Sequence, residues 1–146
     1  GEERGQSEAI ASNLALMSKL KTQILVFITG EGGSGGALGI GVGDHYSILE
    51  HATYSVASPE ACSSIIWRTA DKAANAAEAM KVSAQELIKI GIVDEIISEP
   101  SGGAHRNYSE TARAIKSSIL ENIAKFKAID IDKLLGMRYQ KLLKIG

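Results

Sequence analysis

Apolar residues Ile10, Leu14, Met17 and Leu20 recur at helical intervals of four, three and three, predicting a helix from Glu2 to Leu20. From Gln23 to Thr29 the pattern changes to an unbroken β-branched and aliphatic run, suited to a strand covered on both faces. A glycine-rich stretch follows, with a short helix expected over Ser34 to Val42. Tyr46 to Leu49 and Thr53 to Ala57 read as strands. Ser58, Pro59 and Glu60 make a helix start, with a serine N-cap, a proline at the first helical position and an acid in the first turn. That helix is predicted to run to Trp67, and an alanine-rich one follows over Ala70 to Met80. Ser83 and Glu86 form a capping box, and Gly91 is placed to terminate its helix in the left-handed conformation. Ile92 to Ile97 reads as a strand and Pro100 to Gly103 as a loop. Two helices close the chain, Ser109 to Ala128 and Asp132 to Lys144, the second interrupted by Gly136. Strands that alternate with helices predict an α/β layered fold with mainly parallel pairing.

The 146 residues suffice for one domain with a single core, and 45% hydrophobic with 23% charged residues is a globular profile. Aromatic residues are scarce, so the core has to come from Ile, Leu, Val and Ala. No apolar run reaches the ~20 residues of a membrane-spanning helix. The polar, charged start GEERGQSEAI does not resemble a signal peptide. Because an amphipathic helix begins almost at Gly1, the chain is expected to be a fragment or a processed product. A single cysteine, Cys62, excludes an internal disulfide and a Cys-rich zinc site, so no metal is expected in this chain. Net charge is −1, but it is uneven: residues 1–100 carry 7 basic and 13 acidic groups, and residues 101–146 carry 9 and 4. That basic tail is read as a solvated helix face rather than a nucleic-acid surface, since no interleaved basic and aromatic patch accompanies it.

Eight of the chain's 15 glycines fall between Thr29 and Asp44, in TGEGGSGGALGIGVGD. Each glycine inside a helix costs about 1 kcal/mol relative to alanine, so the stretch needs a reason. Gly30-Glu31-Gly32-Gly33-Ser34-Gly35 fits the dinucleotide fingerprint G-x-G-x-x-G, with Glu50 twenty residues beyond Gly30, but the following helix is short and itself holds glycines. Gly32-Gly33-Ser34-Gly35-Gly36 fits the nucleophile elbow G-x-S-x-G, with Asp94 and His105 in hydrolase order. A third reading uses the backbone. Gly35, Gly39 and Gly43 are four apart and would present a bare helix face for close approach. At the helix start, unobstructed N–H groups would form an oxyanion hole. Tight packing alone accounts for Gly39 and Gly43 and leaves the glycines around Ser34 unexplained.

Four separated blocks, GEERGQSEAI, GEGGSGGALGIGVGD, YSVASPEACSSIIW and SGGAHRN, resemble the carboxyltransferase α-subunit family of bacterial and plastid acetyl-CoA carboxylase. More distantly, Gly30, Gly35, Gly36 and Asp44, followed by a strand and Pro59-Glu60, are similar to the crotonase superfamily. The resemblance implies a ClpP/crotonase-like spiral of ββα units with peripheral C-terminal helices. It implies a carboxyltransferase core over 1–104, shortened at its N-terminus, and a helical C-terminal extension over 105–146. In that family a strand–glycine–helix segment supplies an oxyanion-hole N–H. Gly35 matches the helix-start position, Gly33 and Gly36 are its neighbours, and Ser34 replaces the first of three glycines usual in the wider superfamily.

The activity implied is transfer of a carboxyl group from carboxybiotin, borne on a biotin carboxyl carrier protein, to acetyl-CoA, yielding malonyl-CoA for fatty-acid synthesis. Biotin is thus the implied cofactor. A carboxyltransferase β subunit, in an α2β2 assembly, is the implied partner, in the bacterial cytoplasm or the plastid stroma. Gly33, Gly35 and Gly36 are the expected catalytic backbone. Gly32, Ser34, His105 and Arg106 are the expected substrate contacts, the last two as cation-capable groups that could meet an anion. Asp44 is expected to end the glycine helix, and Glu60 to serve its own helix start. Two alternatives stand beside this: a biotin-dependent acyl-CoA decarboxylase or another crotonase-superfamily acyl-CoA enzyme, and a non-catalytic module that docks a partner subunit.

Overall fold

The five residues His45–Leu49 form strand β3, and every one of them is buried. The reason is position. In the computed structural model, which describes residues 2–145, β3 is the middle of a three-stranded sheet, flanked by β1 (Leu25–Ile28) and β5 (Glu95–Ile97). Both pairings are parallel, with Leu25 opposite His45 and Ser47 opposite Glu95. A second parallel pair joins β2 (Glu31–Gly33) to β4 (Thr53–Ser55). The chain therefore repeats one unit. β1, β2 and helix α2 (Ser34–Ile40) are followed by β3, β4 and helix α3 (Pro59–Trp67), and the two strands of each unit go to different sheets. Parallel pairing and the repeated strand–strand–helix order agree with the sequence expectation.

Around β3 the core gathers Ile28, Tyr46, Ile48, Leu49, Ala52, Ala84, Leu87, Val93 and Ile97. Each large aliphatic side chain buried this way contributes about 1.5–3 kcal/mol. Helices α4 (Ala73–Met80) and α5 (Ala84–Lys89) complete the middle of the chain. Ser58 caps α3 by accepting from the Ala61 N–H at 3.2 Å, with Pro59 as the first helical residue. Ser83 caps α5 through the Glu86 N–H, but the reciprocal half of the expected box is missing because the Glu86 carboxylate turns to Lys89 instead. Gly91 sits at φ 76°, the left-handed terminator anticipated for α5. No helix among the described residues is long and apolar enough to cross a membrane.

Several boundaries differ from expectation, each for a local reason. Helix α1 starts at Gln6 and runs to Lys19, because Gly5 at φ 72° separates it from a 3-10 turn over Glu2–Arg4. Glu31 to Gly33 is strand β2, which the density of glycines conceals. Helix α2 stops at Ile40, so Asp44 does not end it. The C-terminal helix α7 (Ile131–Ile145) passes through Gly136 without a break. Helix α6 (Tyr108–Lys127) is capped by Asn107, whose side chain accepts from the Glu110 N–H and donates to its carboxylate.

The two C-terminal helices are fastened to the sheets by polar groups. From α7, Arg138 forms a two-pronged pair with Asp44, both bonds 2.8 Å, with both side chains buried. Its remaining donors reach the carbonyls of Met17, Leu20 and Thr22. On α6 the inward face consists of Thr111, Ser118, Asn122 and Phe126. Ser118 and Ser47 donate to one oxygen of Glu95 at 2.6 and 2.8 Å, and His45 lies 3.1 Å from it.

Burial pushes the Glu95 pKa up, but the hydrogen bonds from Ser118, Ser47 and His45 outweigh it and hold the carboxyl below the ordinary 4.5. A depressed folded-state pKa stabilises the fold above the unfolded value, and the contribution disappears as pH falls through the folded one. Unfolding free energy measured between pH 6 and 3 is therefore expected to drop on the acid side of about 4.5, and Glu95→Gln to flatten that drop.

Candidate functional site

The glycine segment makes a sharp strand-to-helix turn. Gly33 is extended, at φ −149° and ψ 155°, and Ser34 then turns into the left-handed region at φ 55°. A side chain in that region costs roughly 1–2 kcal/mol, so the turn holds Ser34 against its local preference. Ser34→Gly is accordingly expected to raise unfolding free energy by about 1 kcal/mol in thermal or urea denaturation.

Past this turn, α2 begins without a side-chain cap. The first N–H groups of a helix lack intrahelical acceptors. Among the described residues, no loop carbonyl or side chain accepts from the Gly35 or Gly36 N–H. Ser34 and Gly36 are exposed and Gly35 is half-buried. A methyl group on Gly36 would meet nothing within 4 Å. One on Gly35 would lie 3.2 Å from Ile10 Cδ1, and one on Gly39 would also face Ile10. The bare helix face is therefore real for Gly35 and Gly39, and α1 packs on it. Gly43 lies beyond the end of α2 and serves a different approach: its methyl would stand 2.6 Å from Val26 Cγ2 and 3.0 Å from the Ile24 carbonyl oxygen.

A cleft of about 560 Å³ runs beside this turn. It is lined by the continuous stretch 24–33, which includes Gly32 and Gly33, and by Ala37, Ile40, Gly41 and Tyr54; Ser34, Gly35 and Gly36 stand beyond this lining. Glu31 is its one charged lining residue.

The remaining expected site residues lie elsewhere. His105 and Arg106 are exposed in a 3-10 turn over Ala104–Arg106 that leads into α6. Among the described residues, no hydrogen bond or ion pair joins them to the glycine turn. The loop is anchored instead by its backbone: the Arg106 N–H donates to Gly103, and Thr111 donates to the Ala104 carbonyl. The elbow partners are likewise not assembled. Asp94 accepts from the Tyr46 N–H and pairs with Lys141, and among the described residues no hydrogen bond joins Ser34 to a histidine or an acid. Glu50, the acid of the dinucleotide fingerprint, accepts from the Glu99 N–H, and the helix after the glycines spans seven residues. Asp44 is a buried acceptor for Arg138 and the Ile24 N–H. Among the described residues, no three His, Cys, Asp or Glu side chains are grouped as a metal site would require.

Comparison with solved structures shows that the fold is crotonase-like. The chain superposes on a Pseudomonas malonate decarboxylase hetero-tetramer in complex with coenzyme A with a TM-score of 0.73 at 15% identity, covering 94% of this chain and 54% of that one. A malonate decarboxylase hetero-dimer gives the same TM-score at 14% identity, covering 98% of this chain and 59% of that one. The model of the acetyl co-enzyme A carboxylase carboxyltransferase-like family matches residues 1–146, and the chain belongs to that family. Proteins named acetyl-coenzyme A carboxylase carboxyl transferase subunit alpha from Azotobacter vinelandii and Vibrio cholerae are 54% identical over 145 residues. Those residues are 99% of this chain and 46% of each relative, so the chain spans just under half their length.

Proposed function

We propose that this chain furnishes one wall of a carboxyltransferase active site. There a carboxyl group passes from carboxybiotin on a biotin carboxyl carrier protein to acetyl-CoA, giving malonyl-CoA, and a β subunit furnishes the opposite wall of an α2β2 assembly. The observation that carries this reading is the pair of uncommitted N–H groups at Gly35 and Gly36, behind a turn that strains Ser34. Donors fixed in place before the reaction stabilise charge that develops on oxygen without reorganising as it forms.

The residues present fit biotin: a polar ureido group meets backbone donors, and the neighbouring cleft has largely apolar walls for the ring system. When bound, biotin supplies the transferable carboxyl group and, after losing it, a basic ureido nitrogen. Gly35 and Gly36 would hold the ureido oxygen, and Gly32 and Gly33 border the cleft that admits the group. No side-chain base is required of this chain. His105 and Arg106 lie outside this arrangement and are not assigned a role in it. Exposed Val56, Ile65 and Ile66 support docking of a partner subunit on the α3 side.

The test is reconstitution with the β subunit, following biotin-dependent decarboxylation of malonyl-CoA and carboxylation of acetyl-CoA. Ser34→Ala is expected to leave turnover within a factor of about two, because only the backbone of that turn is used. Loss of all turnover in Ser34→Ala would return the serine-nucleophile reading. An unaffected rate in a variant lacking the Gly36 N–H would overturn the proposal.

A further inference from the structure

Tyr54, at the centre of β4, is seated by two glycines of the motif. A methyl group on Gly32 would stand 2.7 Å from Tyr54 Cδ2, closer than contact allows, so the ring packs over bare backbone there. A methyl on Gly41 would stand 2.8 Å from the Tyr54 hydroxyl oxygen. Gly32 and Gly41 thus fix where the phenol ends, in the lining of the cleft that Gly33 also borders.

Tyr46, nearby, shows what a purely structural phenol looks like in this protein. Its hydroxyl donates to the Gly41 carbonyl at 2.6 Å and accepts from the Gly43 N–H at 2.9 Å. The Tyr54 hydroxyl has neither kind of partner among the described residues, although the side chain is half-buried. The oxygen is not sealed from water, so the hydroxyl is free to give its hydrogen bond to whatever enters the cleft. Burial also pushes the phenol above its ordinary pKa of 10.0, so at neutral pH it remains a donor.

We infer that the Tyr54 hydroxyl is a ligand-binding donor, giving its hydrogen bond to a neutral carbonyl oxygen of the molecule that enters the cleft. The walls decide the class of acceptor. With no lysine, arginine or histidine and with Glu31 the one charged lining residue, the cleft suits a urea, amide or thioester carbonyl and repels a phosphate. The choice of probes rests on the carboxyltransferase reading.

The experiment uses the complex of this chain with the β subunit and two probes, free biotin and malonyl-CoA. In Tyr54→Phe, the KM for one probe is expected to rise about tenfold, as loss of one neutral hydrogen bond allows. The melting temperature is expected not to move, since no protein group loses a partner. Gly32→Ala, which displaces the ring, is expected to raise the same KM and also to lower the melting temperature. If both KM values in Tyr54→Phe stay within twofold of wild type while the Gly36→Pro complex is impaired, the inference is overturned and the carboxyltransferase reading stands. A melting temperature lowered in Tyr54→Phe also overturns it, by making the hydroxyl structural. A wild-type complex that binds biotin in calorimetry without turnover, and binds it about tenfold more weakly as Tyr54→Phe, supports the inference and overturns the carboxyltransferase reading. A wild-type complex that neither turns over nor binds either probe overturns both.

Discussion

Replacing Arg138 with alanine is expected to lower the unfolding free energy by about 3–5 kcal/mol, measured as a shift in the urea midpoint at unchanged slope. The magnitude reflects the groups that the substitution strands. Asp44 would keep its buried carboxylate and lose both guanidinium bonds, retaining only the Ile24 N–H. The carbonyls of Leu20 and Thr22 would lose the guanidinium as donor as well, and that of Met17 would keep only the Leu20 N–H. Arg138→Lys is expected to recover little of this, because an ammonium cannot span the two carboxylate oxygens and three carbonyls that the planar fork reaches. A small loss in Arg138→Ala would mean that water or a shifted side chain takes over these contacts, and that α7 is held by other means.

On the proposed carboxyl-transfer role, Gly36→Pro in the complex reconstituted with the β subunit is expected to lower kcat by about 10²–10³, equivalent to roughly 2.7–4 kcal/mol of transition-state stabilisation. Proline removes the N–H itself, which no ordinary side-chain replacement does. The position tolerates the ring. It lies in the first helical turn, where no intrahelical bond is lost, it faces open space, and the residue before it is Gly35, which has no Cβ to collide with the ring. Gly36→Ala is the control: it keeps the N–H, fills empty space and is expected to leave kcat within a factor of about two. Stability in denaturant should change little in either variant. An equal kcat in Gly36→Pro and wild type would remove the backbone-donor role of this turn.

Features set by periodicity and capping were legible in the sequence. The position of strand β1, the serine cap with Pro59 on α3, and the left-handed Gly91 each depend on residues adjacent in the chain, and each is found close to where it was expected. The full coverage expected of β1 is not found: it lies at the sheet edge, with Leu25, Val26 and Phe27 half-buried and Ile28 alone of the four buried. Legibility failed where neighbours distant in sequence decide. β2 consists of Glu31, Gly32 and Gly33, a poor strand by composition, and exists because Thr53 to Ser55 pair with it. Gly43 falls at helical spacing from Gly39, yet it serves the approach of Ile24 and of Val26 on β1.

The same limit governs the site. The glycine turn is local and could be read. The seating of Tyr54 on Gly32 spans β2 and β4, and Arg138 with Asp44 spans 94 residues. On α6, Leu120 and Ile123 look like core by hydrophobicity but are exposed, while Ser118 and Asn122 turn inward. They do so because Glu95 on β5 requires donors, a demand that nothing near position 118 announces.

Strand β1 borders its sheet on one side, and β2 has a single partner. Leu25 to Ile28 thus end the sheet with an apolar, uncharged rim whose outer amides and carbonyls have no strand against them among the described residues. Such a rim is adhesive. Handled alone at high concentration, this polypeptide would be prone to zip onto copies of itself along that rim.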